Sequence, residues 1–251
     1  MHRQTLLIGF LMVMLIATGC ATTTPYNPFK VSQEEFCSKT KTIAMAPLLT
    51  PKGLENPEPV KVKFESLLEA KLREAGYTVI PSKEGDEIWR RMREQVGGFF
   101  DPVTGMRDES KYKEVQEHTR RELCTKFNAD AILYPSIGVY TVSWSGWTAN
   151  WHGTSEGVKS TGTVVLEALV GVSSSGTVPA LSLTINIEDS NGVPAYINAG
   201  GIQLLSKISG LNKFVPVPRE QLFVNEERNV KAVNFALDPL IKKTKPPGTA
   251  P

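Results

Sequence analysis

Ten residues, Trp144 to Gly153 (WSGWTANWHG), hold three of the four tryptophans of this chain and one of its three histidines. On their last glycine begins Gly153-Thr154-Ser155-Glu156-Gly157, which fits G-x-S-x-G, the pattern of a serine nucleophile on a strained turn. That chemistry needs an apolar strand before the serine, a helix after it, and a histidine further along the chain. Here a tryptophan-rich polar stretch precedes it, a Gly/Thr/Val strand follows, and His152 is the last histidine. No catalytic residue is assigned. His118 and His152 have no partner at a metal-ligand spacing such as H-E-x-x-H, so no metal site is expected. Asp86 with Glu87 and Glu226 with Glu227 stand near helix starts, where paired acids complement the helix dipole more often than they catalyse. Neither a phosphate-cradling glycine loop nor a dinucleotide fingerprint is present, and no cofactor is expected. The chain reads as a non-enzyme.

The tryptophans then need another purpose. Trp144 continues the apolar alternation of Tyr140 and Val142 and reads as structural, at the outer end of a hairpin. Trp147 and Trp151 lie beyond that alternation and are the candidate partner contacts, because tryptophan is enriched at interface hot spots. Gly200 and Gly201, inside the strand pattern of GGIQLL, mark either a close backbone approach or a strand along which a partner docks.

The first residues say where such a contact would be made. After MHRQ comes an apolar run from Leu6 to Ile16, shorter than the roughly 20 residues that span a bilayer. Small residues then lead to a cysteine, as in a cleavable secretory signal. Ala17-Thr18-Gly19-Cys20 resembles a bacterial lipobox, although leucine is commoner than Ala17 at its first position. The resemblance implies a signal peptide over residues 1–19 and a lipidated Cys20, whose acyl chains give stable membrane anchoring. Ala21 rather than aspartate after the cysteine favours the outer membrane of a Gram-negative host, with the domain facing the periplasm.

Removing the first 19 of 251 residues leaves 232, enough for one sizeable domain. The formal net charge of +2 gives no basic field to hold nucleic acid, so none is expected as a partner. Residues 20–41 read as lipidated N-terminus and flexible tether, 42–241 as a single domain, and 242–251 as a disordered tail.

The elements alternate at the front. TIAMAPL is a short buried strand, and VKVKFESLLEAKLREAG is a helix capped by Gly76. YTVIP is a strand, a second amphipathic segment stops at Gly97-Gly98, and a long helix runs from about Asp108 to Phe127. Strands follow in NADAILYPSIGVYTVSW, Thr163–Val172 and Leu181–Glu188, with a hairpin at Asp189-Ser190-Asn191-Gly192 and a return over Val193–Leu205. A last helix begins at Asn225-Glu226-Glu227. The fold class is α/β (α+β): one mixed sheet with a parallel front and an antiparallel meander, and helices packed on it. Cys37 and Cys124 each precede a strand. If those strands are parallel neighbours, the two could pair, closing a long loop worth roughly 4–5 kcal/mol. Two free thiols are the equal alternative.

IAMAPL, LEAKLREAGYTVIP, FNADAILYPSIG and LTINIEDSNGVPAY are similar in order and spacing to periplasmic lipoproteins related to the curli-secretion lipoprotein, a group that includes activators of penicillin-binding proteins. The resemblance covers most of the chain from Thr42 onward. It departs at Pro47-Leu48, where the family more often has proline-phenylalanine. It implies a non-enzymatic binding, assembly or regulatory role toward another envelope protein or a second copy. A subunit of an oligomeric secretion channel is the alternative, and a peptidoglycan-binding module a more distant one.

Overall fold

The computed structural model describes residues 26–159, 175–209 and 213–241. The lipobox with Cys20, the strand expected over Thr163–Val172 and the C-terminal tail lie outside them. The elements run α1 (Gln33–Lys39), β1 (Thr42–Met45), α2 (Glu58–Glu74), β2 (Thr78–Ile80), α3 (Ser82–Gln95), α4 (Glu109–Lys126), β3 (Ala131–Ser145), β4 (Thr148–Trp151), β5 (Thr154–Gly157), β6 (Ser175–Asp189), β7 (Pro194–Leu204), β8 (Ser206–Ser209), β9 (Lys213–Pro216) and α5 (Glu226–Ile241). The mixed α/β architecture is as expected.

The main sheet places β1 between β2 and β3, parallel to both, with Ile43 opposite Val79 and Ala131. β3 then pairs antiparallel with β6 along fifteen residue pairs, from Ala131↔Asp189 to Ser145↔Ser175, and β6 pairs with β7. Helices α2 and α5 cover one face over Ile43, Met45, Leu133, Ile185 and Ile187, while α3 and α4 cover the other over Ala44, Ile80 and Ile132. Because β1 is buried on both faces, it reads as an uninterrupted apolar run rather than an alternation.

Local chemistry sets the element ends. Helix α2 stops in a Schellman motif: Gly76 has φ of +92°, Tyr77 N–H donates to Leu72 C=O at 3.0 Å, and Gly76 N–H to Arg73 C=O at 2.9 Å. Gly97, at φ +72°, ends α3 in the same way. Asp108 caps α4 by accepting from the Ser110 and Lys111 amides, and Asn225 caps α5 through the Arg228 amide.

Two expectations are corrected here. From Tyr26 onward the stretch read as tether is packed: Phe29 and Phe36 are in the core, and Ser32 caps α1 by accepting from the Glu35 amide. The Ser32/Glu35 spacing of a capping box was the available signal. The disulfide is not formed, and Cys37 and Cys124 are both free. Their strands are parallel neighbours as supposed, but the cysteines belong to helices on opposite sides. Cys37 packs with the core under α2 and α5, whereas Cys124 is on α4 across the sheet.

The far halves of β3 and β6 enclose a separate core. β3 turns back into β4 through Gly146-Trp147, where Gly146 has φ of +64°, and β4 turns into β5 through His152-Gly153, both at positive φ. The second is the primed geometry that suits strand twist. This meander curls over the sheet until the Gly201 amide donates to His152 C=O at 2.9 Å. Val142, Trp144, Ala149, Trp151, Val158, Val178, Leu204 and Ile208 fill the space beneath it.

Candidate functional site

The turn at His152-Gly153 forms one wall of a cleft of about 720 Å³ at the edge of β7. Tyr26 and Pro28 form the opposite wall. Tyr140 and Thr184 on the sheet face and Phe235 with Asp238 on α5 complete it, and Ile197, Asn198 and Ala199 run along its floor. Rings and aliphatic groups make most of its surface.

Each wall is held by specific bonds. Tyr26 Oη donates to Ile197 C=O at 2.7 Å, the Ile197 amide to Pro28 C=O at 2.8 Å, and the Lys30 amide to Ala195 C=O at 2.9 Å. Residues 28–30 therefore lie as an extended, antiparallel segment on the outer edge of β7. On the other side, Tyr140 Oη and Thr184 Oγ1 are 2.6 Å apart, and His152 stands edge-on to the Tyr140 ring. Burial lowers the His152 pKa, which keeps the imidazole neutral at physiological pH. Its Nδ1 is 2.9 Å from the Ser182 hydroxyl, which also accepts from Trp151 Nε1 at 3.1 Å. Ser182 is fully buried beneath Trp151, so its hydroxyl positions the imidazole and has no path to a substrate. Asp238 is the one formally charged side chain among the described residues lining the cleft.

The residues singled out from sequence separate. Trp144 is buried as expected. Trp151 is corrected: at 8% exposure it belongs to the core under the meander, because β4 continues the alternation after a two-residue turn. Trp147 occupies that turn and is 42% exposed, which leaves it the accessible member of the pair. Ser155 is inside strand β5, not on a strand-to-helix turn. Its neighbour Glu156 is buried and paired with Arg228 at 2.9 Å and Lys207 at 3.4 Å, and it accepts from the Leu204 amide. That carboxylate ties β5 to α5 and β8. His118 is exposed on α4, and no group of three potential metal ligands occurs among the described residues.

Gly200 and Gly201 are close approaches on two sides of one strand. A Cβ on Gly200 would lie 1.9 Å from Ala232 C=O on α5, and one on Gly201 would lie 2.8 Å from Thr154 Cβ and Trp151 Nε1. Packing accounts for both glycines. Sequence reasoning missed Tyr26, Asn198, Ala199 and Phe235. Only Phe235 carried a signal: it falls between the inward Val233 and Leu237, an aromatic on the outward side of the last helix.

The fold and cleft together define an α/β domain with an aromatic edge groove. No protein-family profile matches the chain. No curated protein matches it either. Among solved structures it is similar to PelC dodecamers from Paraburkholderia phytofirmans. One, a point variant, gives 12% identity and a TM-score of 0.35, and a second gives 11% and 0.36; each alignment covers 82% of this chain and 91% of that one. Overlaps this loose carry no argument about the present chain.

Proposed function

We propose that this chain is a membrane-anchored lipoprotein of the bacterial envelope whose domain binds another envelope component without chemistry, in an assembly or regulatory role, and that the edge cleft is its contact. The observation that carries the reading is the position of the cleft. An apolar groove of about 720 Å³ has Tyr26, the first described residue, in its wall, and Tyr26 is six positions from Cys20. Six residues reach at most about 20 Å. Lipid on Cys20 would therefore hold the groove close to the membrane surface, where confinement raises the effective concentration of partners. Trp147 is a secondary contact candidate, since its ring is accessible.

Two experiments in intact cells test the reading. Labelled palmitate should be incorporated into the wild-type chain and lost in Cys20→Ser. A photo-crosslinking amino acid at Phe235 should give a discrete adduct. Label that persists in Cys20→Ser defeats the anchor, and the absence of any adduct at Phe235 defeats the cleft.

A further inference from the structure

The outer edge of β7 is occupied on both sides of the cleft and, among the described residues, unpaired within it. In an antiparallel pair, alternate residues turn both main-chain groups toward one neighbour. The Ile197 amide and carbonyl point outward, to Pro28 and to the Tyr26 hydroxyl, and the Gly201 amide points outward to His152. Ile197, Ala199 and Gly201 pair in unbroken register with Asn186, Thr184 and Ser182. The Ala199 N–H and C=O must therefore point outward too, and they find no partner among the described residues. An edge strand with an unpaired donor and acceptor is a template for another extended backbone. This edge already holds one, residues 28–30, antiparallel, with Phe29 opposite Tyr196.

We infer that the cleft receives an extended polypeptide segment of a partner, which pairs its main chain with Ala199 and lays one apolar side chain among Tyr26, Tyr140 and Phe235. This rests on the binding role proposed above and specifies its ligand. The pairing is short. The Tyr26 hydroxyl on Ile197 C=O closes one end, and the His152-Gly153 turn closes the other, where a Cβ on Gly153 would lie 2.1 Å from the Phe235 ring. One residue of the ligand bonds to Ala199, and its neighbours must bend away from the edge.

The test uses the full lipidated chain in detergent and a phage-displayed library of random dodecapeptides. Enriched peptides should share one apolar residue at a fixed position. N-methylation at one position of a selected peptide, repeated at each position in turn, should weaken binding about tenfold at a single amide and little at its neighbours, as loss of one main-chain hydrogen bond requires. Ala199→Pro, which deletes the outward N–H, should weaken binding about as much, with circular dichroism verifying that the edge strand tolerates it. Failure to enrich any peptide overturns the inference, as does affinity indifferent to every N-methyl group and to Ala199→Pro. So does oligomerisation of the chain itself that Phe235→Ala abolishes, which would make a second copy the occupant. If crosslinks form at Phe235 in cells while no peptide is selected, binding at the cleft stands and strand pairing falls. If neither is seen, both fall.

Discussion

Replacing Gly200 by alanine tests the way α5 is seated on the sheet. Alanine in a strand ordinarily stabilises by about 0.5–1 kcal/mol over glycine. Here the added Cβ would lie 1.9 Å from the Ala232 oxygen, 2.7 Å from its carbonyl carbon and 2.9 Å from its Cα. Carbon and oxygen separate by at least about 3.3 Å in favourable contacts, so α5 must retreat by about 1.4 Å. The obstruction is helix backbone and cannot rotate aside. Retreat loosens Ala232, Val233, Ala236, Leu237 and Leu240, all buried against the sheet. A gap of this size forfeits a large part of their dispersion energy. Overpacking at the upper end of its range, about 3 kcal/mol, less the strand preference, leaves a destabilisation of about 2–2.5 kcal/mol. For a domain of this size the midpoint of thermal unfolding should fall by about 4–10 °C. Gly53→Ala is the control. It has φ of +88° but nothing within 4 Å, so it should lose only about 1 kcal/mol to backbone strain. Thermal and urea unfolding followed by circular dichroism measure both. A Gly200→Ala protein as stable as wild type would refute the close approach of α5 to β7.

Further outcomes follow from the same contacts. Trp151→Phe keeps the ring packing but removes the donor to Ser182, and should destabilise by about 1–2 kcal/mol in urea titrations, whereas Trp147→Ala should change stability by less than about 0.5 kcal/mol. Alkylation of unfolded, unreduced protein should label both Cys37 and Cys124; one or no labelled site would contradict the free thiols. Because burial lowers the His152 pKa below 6.5, the folded state binds this proton less readily than the unfolded chain. Its contribution to stability is complete above pH 6.5 and is lost as pH falls from there through the folded pKa. His152→Asn, which tolerates the positive φ of 40°, should flatten that part of the pH profile, and an unchanged slope would exclude the histidine as its source.

The helices and most strands were legible because their signals are local. Gly76 and Gly97 end helices where their sequence positions say, and Asn225 starts one. The single mixed sheet followed from alternation at the front and hairpins at the back. What was not legible depended on contacts distant in sequence. The tight turn at Gly146-Trp147 puts Trp151 back in phase with Trp144, so a residue that looked like surface is core. Helix α1 offers one buried residue, Phe36, too few for a periodicity. The disulfide failed although its premise held, because strand adjacency does not say which face a preceding helix covers. The cleft was invisible for a similar reason. It joins Tyr26, Tyr140, His152, Ala199 and Phe235, from five places along the chain, and two of its groups belong to the backbone.

The long pairing of β3 with β6 also sets an order of assembly. Its innermost pair, Ser145↔Ser175, closes a loop of about 30 residues, and each further pair adds contacts without enclosing new chain. The hairpin can zip outward from the end that carries the meander. Strand β1 can join only through the parallel register, with Ile43 opposite Ala131, which requires two segments nearly ninety positions apart in sequence to meet. Pairings of that separation form slowly. The sheet beneath the tryptophans should thus be present early, and the sheet beneath α2 should close last. During that interval the apolar faces of Ile43, Phe64 and Leu68 have no cover. The chain needs protection from aggregation while this half is exposed.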